Sequence, residues 1–170
     1  PNGMDVDGPI LDMQYKSGVG RLPIPVVHGM TLAEIALMAD GEGWLKDGMK
    51  LGSKLKVVPC DNYTHQTRYR LPIAPSPNLR TMLAIYLYPS ICYFEATPVS
   101  LGRGTDKPFQ IFGHPDMKIY DFHFTPESRP GAKNPPQMGK TCYGKDLSQL
   151  RDSDIWARKI DLSYLIEAYK

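Results

Sequence analysis

Between Tyr93 and Thr105 the chain gathers a carboxylate, aliphatic hydroxyls and a guanidinium: Glu95, Thr97, Ser100, Thr105 and Arg103, the last set between Gly102 and Gly104. Glycines on either side of an Arg allow backbone conformations closed to other residues and let a ligand approach closely. The planar guanidinium itself suits bidentate capture of a carboxylate or phosphate. Ser100 and Thr105 would add hydroxyl donors. Glu95 follows the aromatic pair Tyr93-Phe94, and partial desolvation there would raise its pKa toward the range of a general acid. Its competing role is a salt bridge to Arg103 that holds the loop closed, and the spacing favours that plainer role. The run Leu101 to Thr105 lacks the G-x-x-x-x-G-K-[ST] pattern, so no nucleotide-binding P-loop is expected.

Two polar residues elsewhere join the candidates. His28 stands just before a capped helix, whose positive end disfavours imidazolium, so a neutral ring is expected, either a tie to the turn or a ligand contact. Asn78 reads first as a helix N-cap and second as an amide able to meet a sugar or acetamido group. His65, His114 and His123 are isolated, so neither a metal nor another cofactor is expected. Ser76, Ser90 and Ser100 lack the G-x-S-x-G elbow of a nucleophilic serine. Cys60, Cys92 and Cys142 form no C-x-x-C pair and read as small buried apolar groups.

These residues must be held by an ordered domain, and the composition supports one. A chain of 170 residues with 42% apolar and 22% charged residues can bury a core and is not disordered. The 15 glycines and 16 prolines exceed the usual share of roughly 12% without any period, which points to a loop-rich α+β domain over residues 1–170. This is a small mixed sheet with flanking helices. A net charge of +2 with no basic cluster offers no field for nucleic acid, and no apolar run approaches the ~18 residues of a membrane span. The chain opens on Pro1-Asn2-Gly3 and closes on a helix-like segment, which suggests a processed protein or an excised domain.

Local patterns place the elements. Thr31-Leu32-Ala33-Glu34 is a capping box, and Leu32, Ile35, Ala36 and Ala39 make an apolar stripe, giving a helix over 31–39. Lys54 to Val58 reads as a strand entering the core and closed by Pro59. Asp61 to Arg70 is polar and aromatic, a mixture that reads as a loop or a short helix. Asn78 begins a helix over Leu79 to Tyr88 that Pro89 breaks. Phe109 to Phe112, Ile119 to Thr125 and Thr141 to Gly144 read as three strands, and 126–137, with four prolines, as an irregular excursion. A last helix runs from Ser163 to Lys170 with Leu162, Leu165, Ile166 and Tyr169 on its apolar face.

Three stretches carry a resemblance: Pro23 to Thr31, then Pro75-Ser76-Pro77-Asn78, then Phe94-Glu95-Ala96-Thr97 with Ser100 to Phe109. In that order and spacing they resemble the DUF1343 family, associated with exo-β-N-acetylmuramidases that trim peptidoglycan. The resemblance covers nearly the whole chain. It implies a two-domain protein with a Rossmann-like N-terminal half, an α+β C-terminal half and a cleft between them, of which this chain would be the C-terminal half alone. Glu95, Arg103, His28 and Asn78 match the family's motifs, while Ala96 stands where Gly is usual and Pro98 where Asn is usual. The implied substrate is terminal N-acetylmuramic acid of peptidoglycan or muropeptide-derived saccharides. Arg103 would face its lactyl carboxylate, and Asn78, Ser100 and Thr105 its hydrogen-bonding groups. Glycoside cleavage ordinarily uses two carboxyl groups, of which Glu95 would be one or an orienting partner. The implied partner is the N-terminal domain of the same protein, and the implied location is secreted or periplasmic. The alternatives are a non-catalytic module that binds cell-wall carbohydrate, or a phosphate-binding module built on Arg103.

Overall fold

A computed structural model describes residues 4–156 and 159–169. The chain gathers into two compact units, one running to Tyr69 and the other beginning at Arg70.

The first unit pairs β1 (Val6–Ile10) antiparallel with β2 (Pro25–His28), with Val6 opposite His28 and Asp7 opposite Val27. Gly8 and Pro9 interrupt the ladder, and the register shifts between Asp7 and Ile10. Helix α1 (Leu32–Gly41) starts as its sequence requires. The Thr31 hydroxyl accepts from the Glu34 N–H at 3.3 Å, and the Glu34 carboxylate accepts from the Thr31 N–H at 2.7 Å. Of the stripe predicted for this helix, Ala39 is buried and Ile35 and Ala36 are half-buried, while Leu32 at its start is 74% exposed; Asp40 is buried beside Ala39 at the far end. Asp40 can be buried because its carboxylate receives the N–H groups of Leu51 and Gly52, tying the helix end to a 3-10 turn over Gly52–Lys54.

The strand expected over Lys54 to Val58 does not form. Past Lys54 the segment is irregular, with Leu55 half-buried and both valines facing solvent, Val58 at 88% exposure. β-branched residues favour a strand only where a neighbouring strand completes the ladder, and among the described residues none pairs with this one. The polar stretch that follows is a loop, the first of its two expected forms, closed by a Thr64–Thr67 turn and by Tyr63 set edge-on to Tyr69 at 6.4 Å.

The second unit is built on α2 (Met82–Ile91), a 3-10 turn over Cys92–Ala96, and an antiparallel sheet in the order β3 (Ile111–His114), β5 (Cys142–Asp146), β4 (His123–Phe124). The short helices α3 (Asp152–Trp156) and α4 (Ser163–Tyr169) follow. Ala84, Leu87 and Ile91 of α2 are buried with Phe94, Leu101, Phe109, Phe112, Leu147, Ile155 and Tyr164. Phe94 stacks on Phe112 at 4.9 Å, and Phe112 meets Tyr164 at 6.0 Å. Removing rings of this size from water contributes about 1.5–3 kcal/mol each, so this aromatic column supplies much of the unit's cohesion.

Several boundaries differ from the sequence pattern for identifiable reasons. The cap of α2 is Thr81, whose hydroxyl accepts from the Ala84 N–H at 3.1 Å, and Asn78 lies before it in a Ser76–Leu79 turn. Pro89 sits inside α2 without ending it. Only one helical N–H is lost there, two residues before the helix tightens into the 3-10 turn. The strand read at Phe109 begins at Ile111 and continues through Gly113, which lies opposite Gly144. Of Ile119 to Thr125 only His123 and Phe124 form a strand, with the Phe122 carbonyl accepting from the Gly144 N–H at 3.0 Å, while Tyr120 donates its N–H within a turn instead. The third strand is the central one. In α4 the packed residues are Tyr164, Leu165 and Ala168, with Ile166 59% exposed, so the buried face is rotated from the one predicted; Lys170 lies outside the described residues.

Candidate functional site

The elements deliver Glu95 and Arg103 to one another. Buried Ile91 and Phe94 anchor the turn that ends α2 and leave Glu95 at its rim. The chain then extends and pins itself to β3 by two backbone hydrogen bonds between Ser100 and Gly113, at 2.8 and 2.9 Å. From there it makes a tight loop through Arg103 and returns at Phe109, whose N–H donates to the Leu101 carbonyl at 2.8 Å. Both flanking glycines are required by geometry. Gly102 and Gly104 have φ of +73° and +82°, and a Cβ on either would run into neighbouring atoms, Ile111 and the Lys107 carbonyl at one, Glu127 and Pro135 at the other. The expectation of a special backbone is met, and the close approach is by the protein's own core and its Pro-rich excursion.

The Arg103 guanidinium donates from Nη2 and Nε to a single oxygen, Glu95 Oε1, at 2.6 and 3.2 Å. Its carbon lies 4.8 Å from the centroid of the Phe109 ring. The two side chains are partly open to solvent, 30% for Arg103 and 38% for Glu95. Glu95 is therefore not desolvated as the aromatic pair before it suggested. It is clasped by Arg103, as the salt-bridge role requires. Among the described residues neither Glu95 Oε2 nor Arg103 Nη1 has a hydrogen-bond partner, which leaves one acceptor and one donor at the rim. They border a depression of about 70 Å³ lined by Phe94, Thr97, Val99, Leu101 and Pro136. Burial, followed by the nearby Glu95 charge, pushes both the Tyr88 phenol and the Cys92 thiol up, so both stay protonated beside the site.

The other predicted residues fall elsewhere. Ser100 is fully buried, its hydroxyl accepting from the Gly102 N–H at 3.3 Å. Thr105 donates to the Gly102 carbonyl at 2.7 Å and accepts from the Lys107 N–H at 3.1 Å. Both hydroxyls are engaged in shaping the Arg103 loop, Ser100 fully buried and Thr105 half-buried. Asn78 is buried, its amide donating to the Gly131 carbonyl at 2.9 Å, so it fastens the excursion over 126–137. His28 belongs to the first unit, where its Nδ1 accepts from the Met30 N–H at 3.1 Å and burial lowers its pKa. The neutral ring is as expected, with burial as its leading cause.

Sequence reasoning missed Phe109, Pro136 and Gln137. Phe109 is 1% exposed with φ +57°, a region in which a bulky side chain is an outlier. Gln137 donates to the Pro98 carbonyl at 2.8 Å, and Glu127 donates its N–H to the Gly104 carbonyl at 3.0 Å, so the excursion is laced to the Arg103 loop. Nothing in the sequence marks these contacts, because they join segments more than twenty residues apart. No group of three or more His, Cys, Asp or Glu among the described residues could hold a metal ion.

Known proteins agree on what this arrangement belongs to. The family model for the N-terminal part of exo-beta-N-acetylmuramidase NamZ matches residues 1–83, and that for its C-terminal part matches residues 86–170. The expectation of a C-terminal half alone thus meets a match to both parts, with His28 and Asn78 in the first and Glu95 and Arg103 in the second. The peptidoglycan beta-N-acetylmuramidase NamZ of Bacillus subtilis is 36% identical over 160 residues, 85% of this chain and 37% of that protein. A crystal structure of a DUF1343 family protein from Bacteroides fragilis is 65% identical with a TM-score of 0.94, over 99% of this chain and 47% of that one. A second from the same organism, 20% identical with a TM-score of 0.66 over 98% of this chain and 49% of that one, shares the fold. The chain thus spans less than half the length of the relatives it matches. By motif order, by both halves of the family model and by fold, it belongs to the exo-β-N-acetylmuramidase NamZ family of peptidoglycan glycoside hydrolases.

Proposed function

We propose that this chain forms one wall of the substrate site of an exo-acting glycosidase that releases terminal N-acetylmuramic acid from peptidoglycan fragments. The observation that carries the reading is the Glu95–Arg103 pair, with a free donor edge and a free acceptor edge above an apolar floor. A muramyl residue is distinguished from glucosamine by a lactyl ether, which is a carboxylate beside a methyl group. Arg103 Nη1 would take the carboxylate and Val99, Leu101 and Pro136 the methyl. A depression of about 70 Å³ is far below the ~300–1,000 Å³ of sites that enclose a small ligand, so the remaining walls come from parts of the protein outside this chain.

The same reasoning assigns Glu95 an orienting role. Protonating a leaving oxygen needs a carboxyl free to face it, whereas Arg103 engages Glu95 Oε1 with two donors and holds the side chain to the loop. The acid, and its partner carboxylate, would then lie in the rest of the protein, and the N-terminal part of the same polypeptide is the natural source. A secreted or periplasmic location in a bacterium goes with that substrate.

The test is release of N-acetylmuramic acid by the intact protein from a muramyl-glucosaminyl disaccharide, beside the same disaccharide with its lactyl carboxylate converted to the amide. Arg103→Ala should raise KM for the carboxylate substrate and abolish the preference over the amide. Glu95→Gln should lower activity with little change in Tm. An intact protein that binds the disaccharide yet releases nothing would replace this reading with that of a carbohydrate-binding module.

A further inference from the structure

Phe109 adopts a backbone conformation that a bulky residue rarely takes, φ +57°, and it does so directly after Pro108 and two residues before β3 begins at Ile111. Such strain costs on the order of 1–3 kcal/mol and persists only where the surroundings over-determine it, most often at a functional site. Here the surroundings are specific. The Phe109 N–H closes the Arg103 loop on the Leu101 carbonyl at 2.8 Å. The ring is 1% exposed, lies 5.1 Å from the Tyr88 ring, and carries the Arg103 guanidinium 4.8 Å from its centroid. In a strand conformation the side chain would alternate with that of Gln110 along the sheet; in the left-handed conformation it turns back beneath the arginine.

We infer that Phe109 is a positioning residue for anionic substrates. Its strained backbone sets the ring under Arg103, and the ring face and Glu95 together hold the guanidinium with its Nη1 edge presented. An arginine side chain in water samples many rotamers, and one held by a carboxylate alone could still swing about that single contact. The ring supplies a second, orthogonal restraint. Attraction between the cation and the ring's electron-rich face is strongest when the guanidinium is partly desolvated, as it is here. Binding a carboxylate to an arginine already oriented avoids the ordering cost that a free one incurs. Phe109 does not touch substrate and acts only through Arg103.

This inference rests on the proposed reading of Arg103 as the carboxylate anchor, and the test separates the two. In the intact protein, Phe109→Leu should raise KM for the muramyl disaccharide by about three- to tenfold, the size of a cation–π contact of this kind. KM for the lactyl amide should stay unchanged. Because Leu leaves space in the core, a second series replaces Phe109 with mono-, di- and trifluorinated phenylalanine, which keep the shape and weaken the ring's negative face stepwise. KM for the carboxylate should rise along the series with kcat and Tm constant. A rise shared equally by carboxylate and amide, or no trend with fluorination, would overturn the role of Phe109. If Arg103→Ala itself fails to discriminate between the two substrates, the anchor reading falls and Phe109's role with it.

Discussion

Gly104→Ala tests the account of the Arg103 loop most directly, because the structure predicts two separable costs. The residue has φ +82°, and an L-residue held there loses roughly 1–2 kcal/mol from the contact of its Cβ with its own backbone. The added Cβ would also overlap the Glu127 carbonyl oxygen and approach Pro135 Cγ to 2.7 Å and the Glu127 nitrogen to 3.1 Å. Two of these three atoms are backbone, and Glu127 is fixed by its own hydrogen bond to the Gly104 carbonyl at 3.0 Å, so the obstacle cannot rotate away. Overpacking of this kind costs about 1–3 kcal/mol more, which brings the expected loss to about 2–5 kcal/mol. Gly139→Ala is the control. Its φ is +75° but nothing lies within 4 Å of the added Cβ, so only the backbone cost of about 1–2 kcal/mol applies. Equilibrium urea unfolding of the intact protein, read by far-UV circular dichroism, gives both losses as shifts in midpoint at constant slope. Equal losses at the two positions, within about 0.5 kcal/mol, would refute the claim that Gly104 is demanded by packing against the excursion.

Other consequences are simpler to check. Thr81→Ala should cost about 1 kcal/mol by removing the cap of α2, whereas a comparable cap loss at Asn78 is not expected, since Asn78 fastens Gly131; opposite helix-specific effects in hydrogen exchange of the Ala84 amide would reverse the assignment. Asp40 is held below the usual carboxylate range by the N–H groups of Leu51 and Gly52. Its contribution is therefore present above that range and lost as pH falls through the lowered value. The stability gap between wild type and Asp40→Asn should hold from neutral pH down to the ordinary carboxyl range and close below it; a gap that closes near neutrality would exclude this mechanism. Burial pushes the Cys142 thiol up to about 11 and raises Cys92, while Cys60 is exposed. Brief alkylation at neutral pH followed by peptide mapping should label Cys60 first and Cys142 only on unfolding, and early labelling of Cys142 would contradict its burial.

What the sequence made legible was local. The Thr31–Glu34 capping box, the loop character of 61–69 and of 126–137, the central strand at Cys142 and the special backbone around Arg103 all depend on residues within a few positions of each other. The pattern misled wherever a partner decided the outcome. Val57 and Val58 have strand-forming side chains but no strand to pair with among the described residues. Ser100 and Thr105 have hydroxyls that look available until the loop folds and consumes them. Phe109 was legible only as the first residue of a strand, since a positive φ in a phenylalanine leaves no trace in sequence.

The position of Glu95 shows how packing narrows a chemical role that residue type leaves open. A glutamate after two aromatic residues invites the idea of a buried acid, yet the turn that buries Phe94 swings the next side chain outward to the rim. There the nearest cation is Arg103, itself unable to retreat because Gly102 and Gly104 fix its backbone and Phe109 lies beneath it. Each restraint on the arginine removes one of the conformations in which Glu95 would stand alone. Loosening the arginine should therefore change the glutamate: in Arg103→Ala, the carboxyl loses the two donors that hold Oε1, and a crystal structure of the variant should show the Glu95 side chain released from its single orientation. A Glu95 side chain that keeps its wild-type orientation in that variant would mean that the clasp does not govern Glu95, and the case for treating it as an orienting group would be lost.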